Sequence, residues 1–397
     1  MATDASRFCI VTVGYNRPDA MMRLLHSLLE ADYLGDKVDL VVSLDKGERQ
    51  AEIVEKAESF VWPFGNKMIR AFSERQGLRK HVIQCGDYAL AYDAVIVLED
   101  DITVSKGFYA YARQAAAFYG KDPRIGGISL YKHHVNVGVD HFFEPEFNGY
   151  DAFLMQFAQS WGQCWTAGMW KHFRDWYEDN EDKVFSSPEF RSERVPENIL
   201  HWGSQSWLKY YMEYIVEKDL YFVYPYHALT TNHSEVGQHN NAASADWQIA
   251  TTDAVFDYRF PAFDEAVRYD IFFERMDYPV KGYEDRRVLL DLYGNRKVFN
   301  DADILVSSRH RPYRVLESWK LKYRPHEKNC MHPEKGEGLY VYDLHAPQTD
   351  VCKRNNNDGI RTRFDVRATH WDSLIKLGMA EFKEKAGRKI RSKLKGK

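Results

Sequence analysis

Three adjacent carboxylates, Glu99, Asp100 and Asp101, follow the apolar run 95–98. The run is too short for a helix and is typical of a buried strand, so we expect the three acids at the end of that strand. Neighbouring carboxylates repel one another unless solvent, a basic group or a cation offsets their charge. A divalent cation that carries a diphosphate would account for the triplet. The alternative is an ordinary acidic turn at the surface.

Two other predicted strands also end in polar groups. Arg17 follows the apolar segment 8–13, and Asp45 follows Val38–Leu44. A guanidinium can make paired hydrogen bonds to a phosphate or a carboxylate, and a carboxylate can accept a base N–H or a ribose hydroxyl. Since parallel strands present their carboxyl ends at one edge of a sheet, these groups together favour a nucleotide site.

The segments around these groups alternate between strand and helix patterns. This rhythm predicts an α/β fold, with a mostly parallel sheet flanked by helices. We predict strands at 8–13, 38–44, 80–84, 94–98, 124–131 and 221–225. We predict helices from Pro18 onward and at 50–60, 88–93, 108–119, 205–217 and 371–397, with loops or a hairpin over 133–152.

The chain has 397 residues, enough for one large domain or two of ordinary size. We divide it into an α/β domain with the nucleotide site at 1–245, a mixed extension at 246–365 and a basic amphipathic terminal helix at 366–397. The five cysteines are widely spaced without a CxxC pair, which predicts neither a disulfide framework nor a zinc site. With no signal peptide pattern at its start, we expect a cytoplasmic protein.

Charge is unevenly distributed along the chain. Residues 371–397 hold nine Lys or Arg and three acids, a net charge of +6, which leaves −10 on the rest of a chain whose total is −4. A basic tail on an acidic body argues against general nucleic-acid binding and favours a local anionic contact. Apolar residues recur at helical spacing in the first half of this tail, which predicts an amphipathic helix on an anionic membrane surface. A frayed, solvated terminus is the alternative.

The N-terminal third resembles the nucleotide-sugar-binding half of the GT-A glycosyltransferases, and most of all the N-acetylglucosaminyltransferase I group and bacterial family-2-like relatives. Arg17, the segments 42–47 and 86–87, and the acids at the end of 97–101 carry the resemblance, which is good over 7–130 and looser over 155–240. It implies a GT-A, Rossmann-like sheet. It also implies Arg17 and Asp45 at the nucleobase and ribose, Asp101 as the ligand of Mn²⁺ or Mg²⁺ on the diphosphate, and Glu99 and Asp100 near the sugar and ribose.

The segment 161–166 resembles the stretch that lines the sugar and acceptor pocket in these relatives. Trp161 offers a flat face for sugar C–H groups, and Gly162 permits close approach of the backbone. Aromatic residues that brace a helix in the core are the alternative. In the loop after the last strand of this region, we select His239 as a residue that could reach the diphosphate, because Gly237 lets its loop close over a ligand.

One part of the family pattern is missing. Relatives supply an acidic general base from a Trp-Asp pattern at a helix start, whereas 202–207 contains no carboxylate. An inverting transfer needs a base for the acceptor hydroxyl proton. Glu197 and Glu213 are the nearby candidates, and each can also be an ordinary surface acid.

These observations lead to one functional expectation: a metal-dependent, inverting glycosyltransferase that moves a sugar from a nucleoside diphosphate sugar, with UDP as the expected nucleotide. The acceptor would be a glycan or lipid-linked molecule, as in bacterial surface polysaccharide synthesis. A nucleotidyltransferase is a second possibility, although 14–18 is a poor match to its Gly-rich, basic phosphate loop. A non-catalytic carbohydrate-binding protein of the same fold is a third.

Overall fold

The computed structural model describes residues 7–183, 194–235, 245–300, 302–347, 358–366 and 370–395. The helices in these ranges are α1 Pro18–Leu29, α2 Gln50–Ser59, α3 Leu78–Gly86, α4 Phe108–Tyr119, α5 Ala167–Glu178, α6 Glu197–Leu200, α7 Trp207–Glu217, α8 Lys328–Met331, α9 Asp358–Asp365 and α10 Trp371–Lys395. The strands are β1 Phe8–Gly14, β2 Val38–Leu44, β3 Lys67–Ala71, β4 Ala94–Glu99, β5 Ile102–Val104, β6 Ile125–Ser129, β7 Val135–Asn136, β8 His141–Phe142, β9 Ala152–Met155, β10 Gln163–Thr166, β11 Tyr221–Pro225, β12 Thr230–Asn232, β13 Arg268–Tyr269, β14 Val288–Asp291, β15 Ile304–Ser307, β16 Tyr313–Lys320 and β17 Gly338–Pro347.

Nine strands form the central sheet, in the order β13-β9-β11-β6-β10-β4-β1-β2-β3. The neighbours β3, β2, β1 and β4 run parallel, whereas β10 runs antiparallel between β4 and β6. Helices cover the sheet, so β1 and β2 are almost entirely buried and read as continuous apolar runs. The predicted α/β class, with a mostly parallel sheet flanked by helices, is confirmed.

The register of the parallel strands brings three strand ends level with one another. Val13 of β1 is paired with Glu99 of β4, and Gly14 of β1 is paired with Leu44 of β2. The residues that follow these strands therefore share one edge of the sheet.

The predicted strand at 80–84 is wrong, because these residues lie inside α3. Their apolar residues form the buried side of that helix. The strand next to β2 is instead β3, whose residues are only partly buried or exposed. An edge strand of this kind lacks the continuous apolar run that identified its neighbours. The segment 133–152 was predicted to form either loops or a hairpin, and it contains the small hairpin β7–β8.

A mixed extension follows the central sheet. Its four strands, in the order β14-β15-β17-β16, enclose a separate small core that includes Leu292, Val306, Trp319 and Val341. The short strand β13 belongs to the central sheet although it lies after residue 245.

The last helix, α10, is a surface element. Several large apolar residues on it are more than half exposed: Trp371, Ile375, Leu377, Met379 and Phe382. Within the described ranges, every helix is either too short or too polar to cross a membrane.

Candidate functional site

The acidic triplet lies where β4 ends, and Arg17 joins it from the neighbouring strand end. Arg17 immediately precedes α1, whose first residue is Pro18. The Arg17 guanidinium forms an ion pair with Asp100 and lies 3.3 Å from Asp101 Oδ2. The chain thus supplies a cation for two of its three adjacent acids, as their mutual repulsion requires.

Asp100 is the most buried of the three acids, with 3% of its side chain exposed. Its Oδ2 also accepts a hydrogen bond from the backbone N–H of Tyr15 at 3.3 Å. Burial raises the pKa of Asp100 to about 7, although the Arg17 charge acts in the opposite direction. Asp100 therefore serves to hold Arg17 and the turn after β1 against the end of β4.

Glu99 is partly buried beside the start of α7. Burial, with a contribution from the Asp101 charge, raises the pKa of Glu99 to about 8, and a hydrogen bond from the Trp207 side chain opposes the rise. Trp207 is the first residue of α7. The carboxylate of Glu99 therefore connects the sheet edge to this helix.

Asp101 has the features of a cation ligand. Its Oδ2 faces Arg17, while its Oδ1 is buried and has no hydrogen-bond partner among the described residues. A buried acceptor without a partner costs about 1–3 kcal/mol, which a bound cation would recover. No cluster of three or more Cys, His, Asp or Glu side chains suited to a metal exists within the described ranges. Mg²⁺ and Mn²⁺ need only one or two protein carboxylates when substrate phosphates and water supply the other ligands, so Asp101 fits such an ion.

Asp45 organises the loop that follows β3. Its carboxylate accepts backbone N–H groups from Lys46 at 2.8 Å, Gln76 at 2.7 Å and Gly77 at 3.0 Å. A carboxylate has about four lone-pair sites, so one remains for a ligand hydroxyl or N–H. Gly77 has a φ of +76°, and a Cβ on it would lie 2.5 Å from the Gln205 side chain. The start of α7 is thus in contact with the Asp45 loop as well as with Glu99.

Trp161 and Gly162 immediately precede β10, which is antiparallel to β4 with Gln163 opposite Val97. Continuing this register places Trp161 beside Glu99. Gly162 has a φ of +102°, and a Cβ on it would lie 2.8 Å from Thr230. The space beside this glycine is therefore filled by the Thr230 side chain.

The Trp161 ring belongs to a partly exposed aromatic group. Its centroid lies 4.8 Å from that of Tyr131 and 5.0 Å from that of Trp247. The Tyr131 hydroxyl donates to the backbone carbonyl of Trp247 at 3.1 Å. The group can offer a flat rim to a ligand, and it also packs this side of the domain.

A histidine that the sequence interpretation passed over lies next to Asp101. Strand β12 is antiparallel to β5, with Asn232 opposite Ile102, and the N–H of His233 donates to the Asp101 carbonyl at 2.9 Å. The His233 ring is 3.0 Å from the Thr103 hydroxyl. Burial lowers the pKa of His233, which favours a neutral ring. His239, the residue selected from the sequence, lies outside the described residues.

Two more charged residues missed by the sequence interpretation accompany His233. Glu235 forms an ion pair with Arg23 of α1 at 2.6 Å. The Arg23 charge lowers the pKa of Glu235 through this hydrogen bond. No local pattern identifies either residue, since the pair depends on the β5–β12 contact. The 230–235 segment is recognisable only as a polar stretch after β11.

The two base candidates lie apart from the triplet. Burial raises the pKa of Glu213 to about 7, and its Oε1 is buried without a partner among the described residues. Glu213 lies one helical turn after Lys209, whose ammonium donates to the carbonyls of Leu200 and Trp202. Glu197 is exposed, and its ion pair with Lys297 at 2.6 Å lowers its pKa. Neither carboxylate makes a polar contact with Glu99, Asp100 or Asp101 in the described part of the chain.

No protein-family model matches the chain, and no curated protein is similar enough in sequence to match it. Among solved structures, it is similar to Staphylococcus aureus TarS in complex with UDP-GlcNAc, at 14% identity and a TM-score of 0.36, over 59% of this chain and 60% of TarS 1-349. It is also similar to the mannosyltransferase PcManGT of Pyrobaculum calidifontis in complex with GDP-Man and Mn²⁺, at 17% identity and a TM-score of 0.30, over 45% and 47% of the two chains. A third is GalNAc-T7 with UDP, GalNAc and Mn²⁺, at 13% identity and a TM-score of 0.36, over 56% and 42%. The chain thus spans 60% or less of the length of each.

Proposed function

We propose that the protein is a metal-dependent glycosyltransferase that transfers a sugar from a nucleoside diphosphate sugar, with UDP as the expected nucleotide. The observation that carries the proposal is the meeting of Arg17, Asp45 and the three acids at one edge of a parallel sheet. The unpartnered Oδ1 of Asp101 adds a ligand for a divalent cation at that edge. Such an edge is where α/β proteins bind nucleotides.

In this proposal each group has a distinct role. Asp101 holds Mn²⁺ or Mg²⁺, which when bound supplies positive charge to the diphosphate of the donor. Asp45 accepts a hydrogen bond from the ribose or base through its remaining lone pair. Glu99 and Asp100 lie near the sugar and ribose, and Arg17 faces the nucleotide while its charge favours the ionised form of Asp100 against the effect of burial.

The acceptor in this proposal is a glycan or a lipid-linked sugar, as in bacterial surface polysaccharide synthesis. Trp161 and its aromatic neighbours would supply a flat surface for sugar C–H groups. Inversion at the anomeric carbon, by direct displacement of the nucleotide while a base takes the acceptor proton, is part of the proposal because the sequence resembles inverting glycosyltransferases.

Glu213 is our proposed base in preference to Glu197, because burial keeps its pKa close to 7 whereas Lys297 neutralises Glu197. If Glu213 is the base, transfer rises with pH as this carboxyl loses its proton near pH 7. Replacing it in Glu213→Gln should then remove that rise and slow transfer at least about 100-fold. Glu197→Gln is the matched control. Equal transfer by Glu213→Gln and the wild type would exclude Glu213.

We also propose that α10 binds anionic membranes and keeps the protein on the cytoplasmic face. Its apolar residues Trp371, Ile375, Met379 and Phe382 recur at intervals of four, four and three, so they form one exposed stripe. Most of the nine basic residues of 371–397 follow this stripe in the sequence. An apolar stripe with a basic continuation has the chemistry to insert at the surface of an anionic bilayer.

A thermal-shift series with UDP- and GDP-sugars, each with and without Mn²⁺, tests the central proposal. A ligand that binds the folded state raises the melting temperature. We expect a metal-dependent rise for one donor in the wild type and none in Asp101→Asn, with the exposed Asp19→Asn as control. Slow metal-dependent hydrolysis of the same donor should accompany binding.

The other outcomes identify the alternatives. Binding of sugars without any turnover of a nucleotide sugar would favour a carbohydrate-binding protein, a possibility raised by the absence of a carboxylate in 202–207. Release of diphosphate from a nucleoside triphosphate and a sugar phosphate would favour a nucleotidyltransferase. Either result would overturn the glycosyltransferase proposal.

A further inference from the structure

A second guanidinium lies close to the candidate site. Arg23 is on α1, six residues after Arg17, and its Nη1 is 2.6 Å from Glu235 Oε1. This ion pair joins α1 to the segment that carries His233. About one third of each side chain is exposed, so the pair lies at the wall of the site rather than in the core.

The ion pair leaves most of the Arg23 guanidinium unused. Its Nε and Nη2 atoms are buried and have no hydrogen-bond partner among the described residues. Leaving a buried donor unpaired is costly, and more so when it carries charge. A site with such donors is suited to an anion that can reach both of them.

Arg23 and Asp101 are both linked to the segment 233–235. The His233 N–H donates to the Asp101 carbonyl, and Glu235, two residues further along, forms the ion pair with Arg23. Around this segment, Nε and Nη2 of Arg23 and Oδ1 of Asp101 have no hydrogen-bond partner among the described residues. A diphosphate that carries a divalent cation matches both, because its oxygens accept from Arg23 while its metal binds the carboxylate.

We propose that Arg23 binds the terminal phosphate of the nucleoside diphosphate that leaves during transfer, and that Glu235 is a positioning residue that holds the guanidinium in place. This inference rests on the proposed function. In the transfer step, the acceptor oxygen forms a bond to the anomeric carbon and gives its proton to the base. The bond from that carbon to the phosphate oxygen breaks, and its electron pair stays on the phosphate. Arg23 exchanges no proton and stabilises the added negative charge by donating hydrogen bonds.

Nucleotides of different phosphate number test the assignment. Calorimetric titrations of wild type and Arg23→Gln with UDP and UMP, in Mn²⁺, compare ligands that differ only in the terminal phosphate. We expect Arg23→Gln to lose about 10- to 100-fold in UDP affinity, the value of one or two charge-assisted hydrogen bonds, and to change UMP affinity less than about threefold. If the wild type prefers guanosine, GDP and GMP provide the same comparison. An unchanged ratio of diphosphate to monophosphate affinity in Arg23→Gln would overturn the inference.

Two further variants separate binding from structure. Arg113→Gln removes another ion-paired arginine, which contacts Asp36 at 2.9 Å, and should leave the affinity ratio unchanged. Glu235→Gln keeps the Arg23 guanidinium and should retain most of the preference for UDP. If Arg23 and Glu235 formed only a structural link, Arg23→Gln and Glu235→Gln would both lower the melting temperature, and each would weaken the binding of UDP and of UMP equally. A wild type that binds no nucleotide at all would instead overturn the proposed function, and this inference with it.

Discussion

At the scale of single residues, Gly162 illustrates how closely the segments around the site approach one another. Its φ of +102° lies in a region that L side chains rarely adopt, and Thr230 occupies the space of an added Cβ. Because Thr230 belongs to β12, which precedes His233, its side chain packs this strand against the glycine. The position therefore supports two sides of the site at once.

We expect Gly162→Ala to lower the free energy of unfolding by about 1–3 kcal/mol, the usual cost of a strained backbone position with a steric contact. Denaturant unfolding measures the change. Gly168→Ala is the matched control, because that glycine lies at the start of α5 with open space around it, and the alanine should be neutral or slightly stabilising. Equal stability of the two variants would contradict the prediction.

A second residue-scale prediction concerns Glu327, which lies in the extension with 1% of its surface exposed. Burial raises the pKa of Glu327 to about 7, although the Tyr269 hydroxyl donates to it at 2.7 Å. A carboxyl whose folded-state pKa exceeds its unfolded value contributes stability below about pH 4.5, and that contribution is lost as the pH rises through 7. Other charged or titratable groups also interact with it: His326, Glu274, Arg275, Glu146, Tyr226, Tyr278, Tyr293 and Cys330.

Glu327→Gln should therefore be about 1–3 kcal/mol more stable than the wild type at pH 8 and close to it at pH 5. Thermal unfolding across this pH range measures the difference. The exposed Glu55→Gln on α2 is the control and should leave the pH dependence unchanged. A Glu327→Gln variant that is less stable than the wild type at pH 8 would show that the ionised form is favoured in the folded protein.

At the scale of elements, α7 connects the separate parts of the candidate site. Its first residue donates to Glu99, and Gln205 just before it contacts Gly77 of the Asp45 loop. Ser206 caps the helix by accepting the N–H of Lys209 at 3.3 Å. The positions of Glu99 and of the Asp45 loop thus depend on where this helix begins.

Ser206→Ala should reduce stability by about 1 kcal/mol, the usual value of an N-cap, and should also weaken nucleotide binding. Thr166→Ala removes the equivalent cap of α5, where Thr166 accepts from Met169 at 3.3 Å, and should cost similar stability with less effect on binding. Thermal unfolding and nucleotide titration of the two variants make the comparison. Equal losses of affinity would argue that α7 has no particular part in the site.

The elements that were predicted correctly are recognisable in the sequence because of how they are buried. Strands β1, β2 and β4 are mostly apolar because they are buried on both faces, and α1 shows a helical period in its buried residues Met21, Leu24, Leu25 and Leu28. Polar groups directly after such strands could therefore be expected at one edge, and Arg17 does meet Asp100 and Asp101 there. A local pattern was sufficient for these cases.

Other elements depend on contacts that no local pattern contains. The edge strand β3 is too polar to be recognised, and β10 takes its place between β4 and β6 through pairing with distant segments. The ladder between β5 and β12 has only three residue pairs, yet it brings His233 to Asp101. Arg23 and Glu235 meet only because of that ladder, so the sequence indicated neither of them.

At the scale of the whole molecule, the two proposed roles fall on separate parts of the chain, the acidic body and the basic α10. The proposed chemistry lies on the central sheet, whereas the proposed membrane contact lies on one terminal helix with an exposed apolar stripe. The two functions should therefore be separable by truncation.

A chain ending at residue 370 should hydrolyse the donor at the wild-type rate but lose binding to vesicles that contain anionic lipid. Co-sedimentation with anionic and with neutral vesicles measures this, and added salt should weaken the wild-type binding. The full chain with Ile375→Asp and Phe382→Asp serves as a matched test of the apolar stripe. Undiminished sedimentation of the truncated chain with anionic vesicles would exclude α10 as the membrane contact.

The ion pair between Arg23 and Glu235 joins residues that are 212 positions apart in the sequence. Contacts of such separation close a long loop, so they form late and slowly compared with the local packing of the first strands and helices. During synthesis the sheet edge with Arg17 and the three acids can assemble well before residue 235 leaves the ribosome. The protein therefore passes through a stage in which Arg17 and the three acids are in place without His233 and Glu235, and the arrival of the β12 segment completes the candidate site.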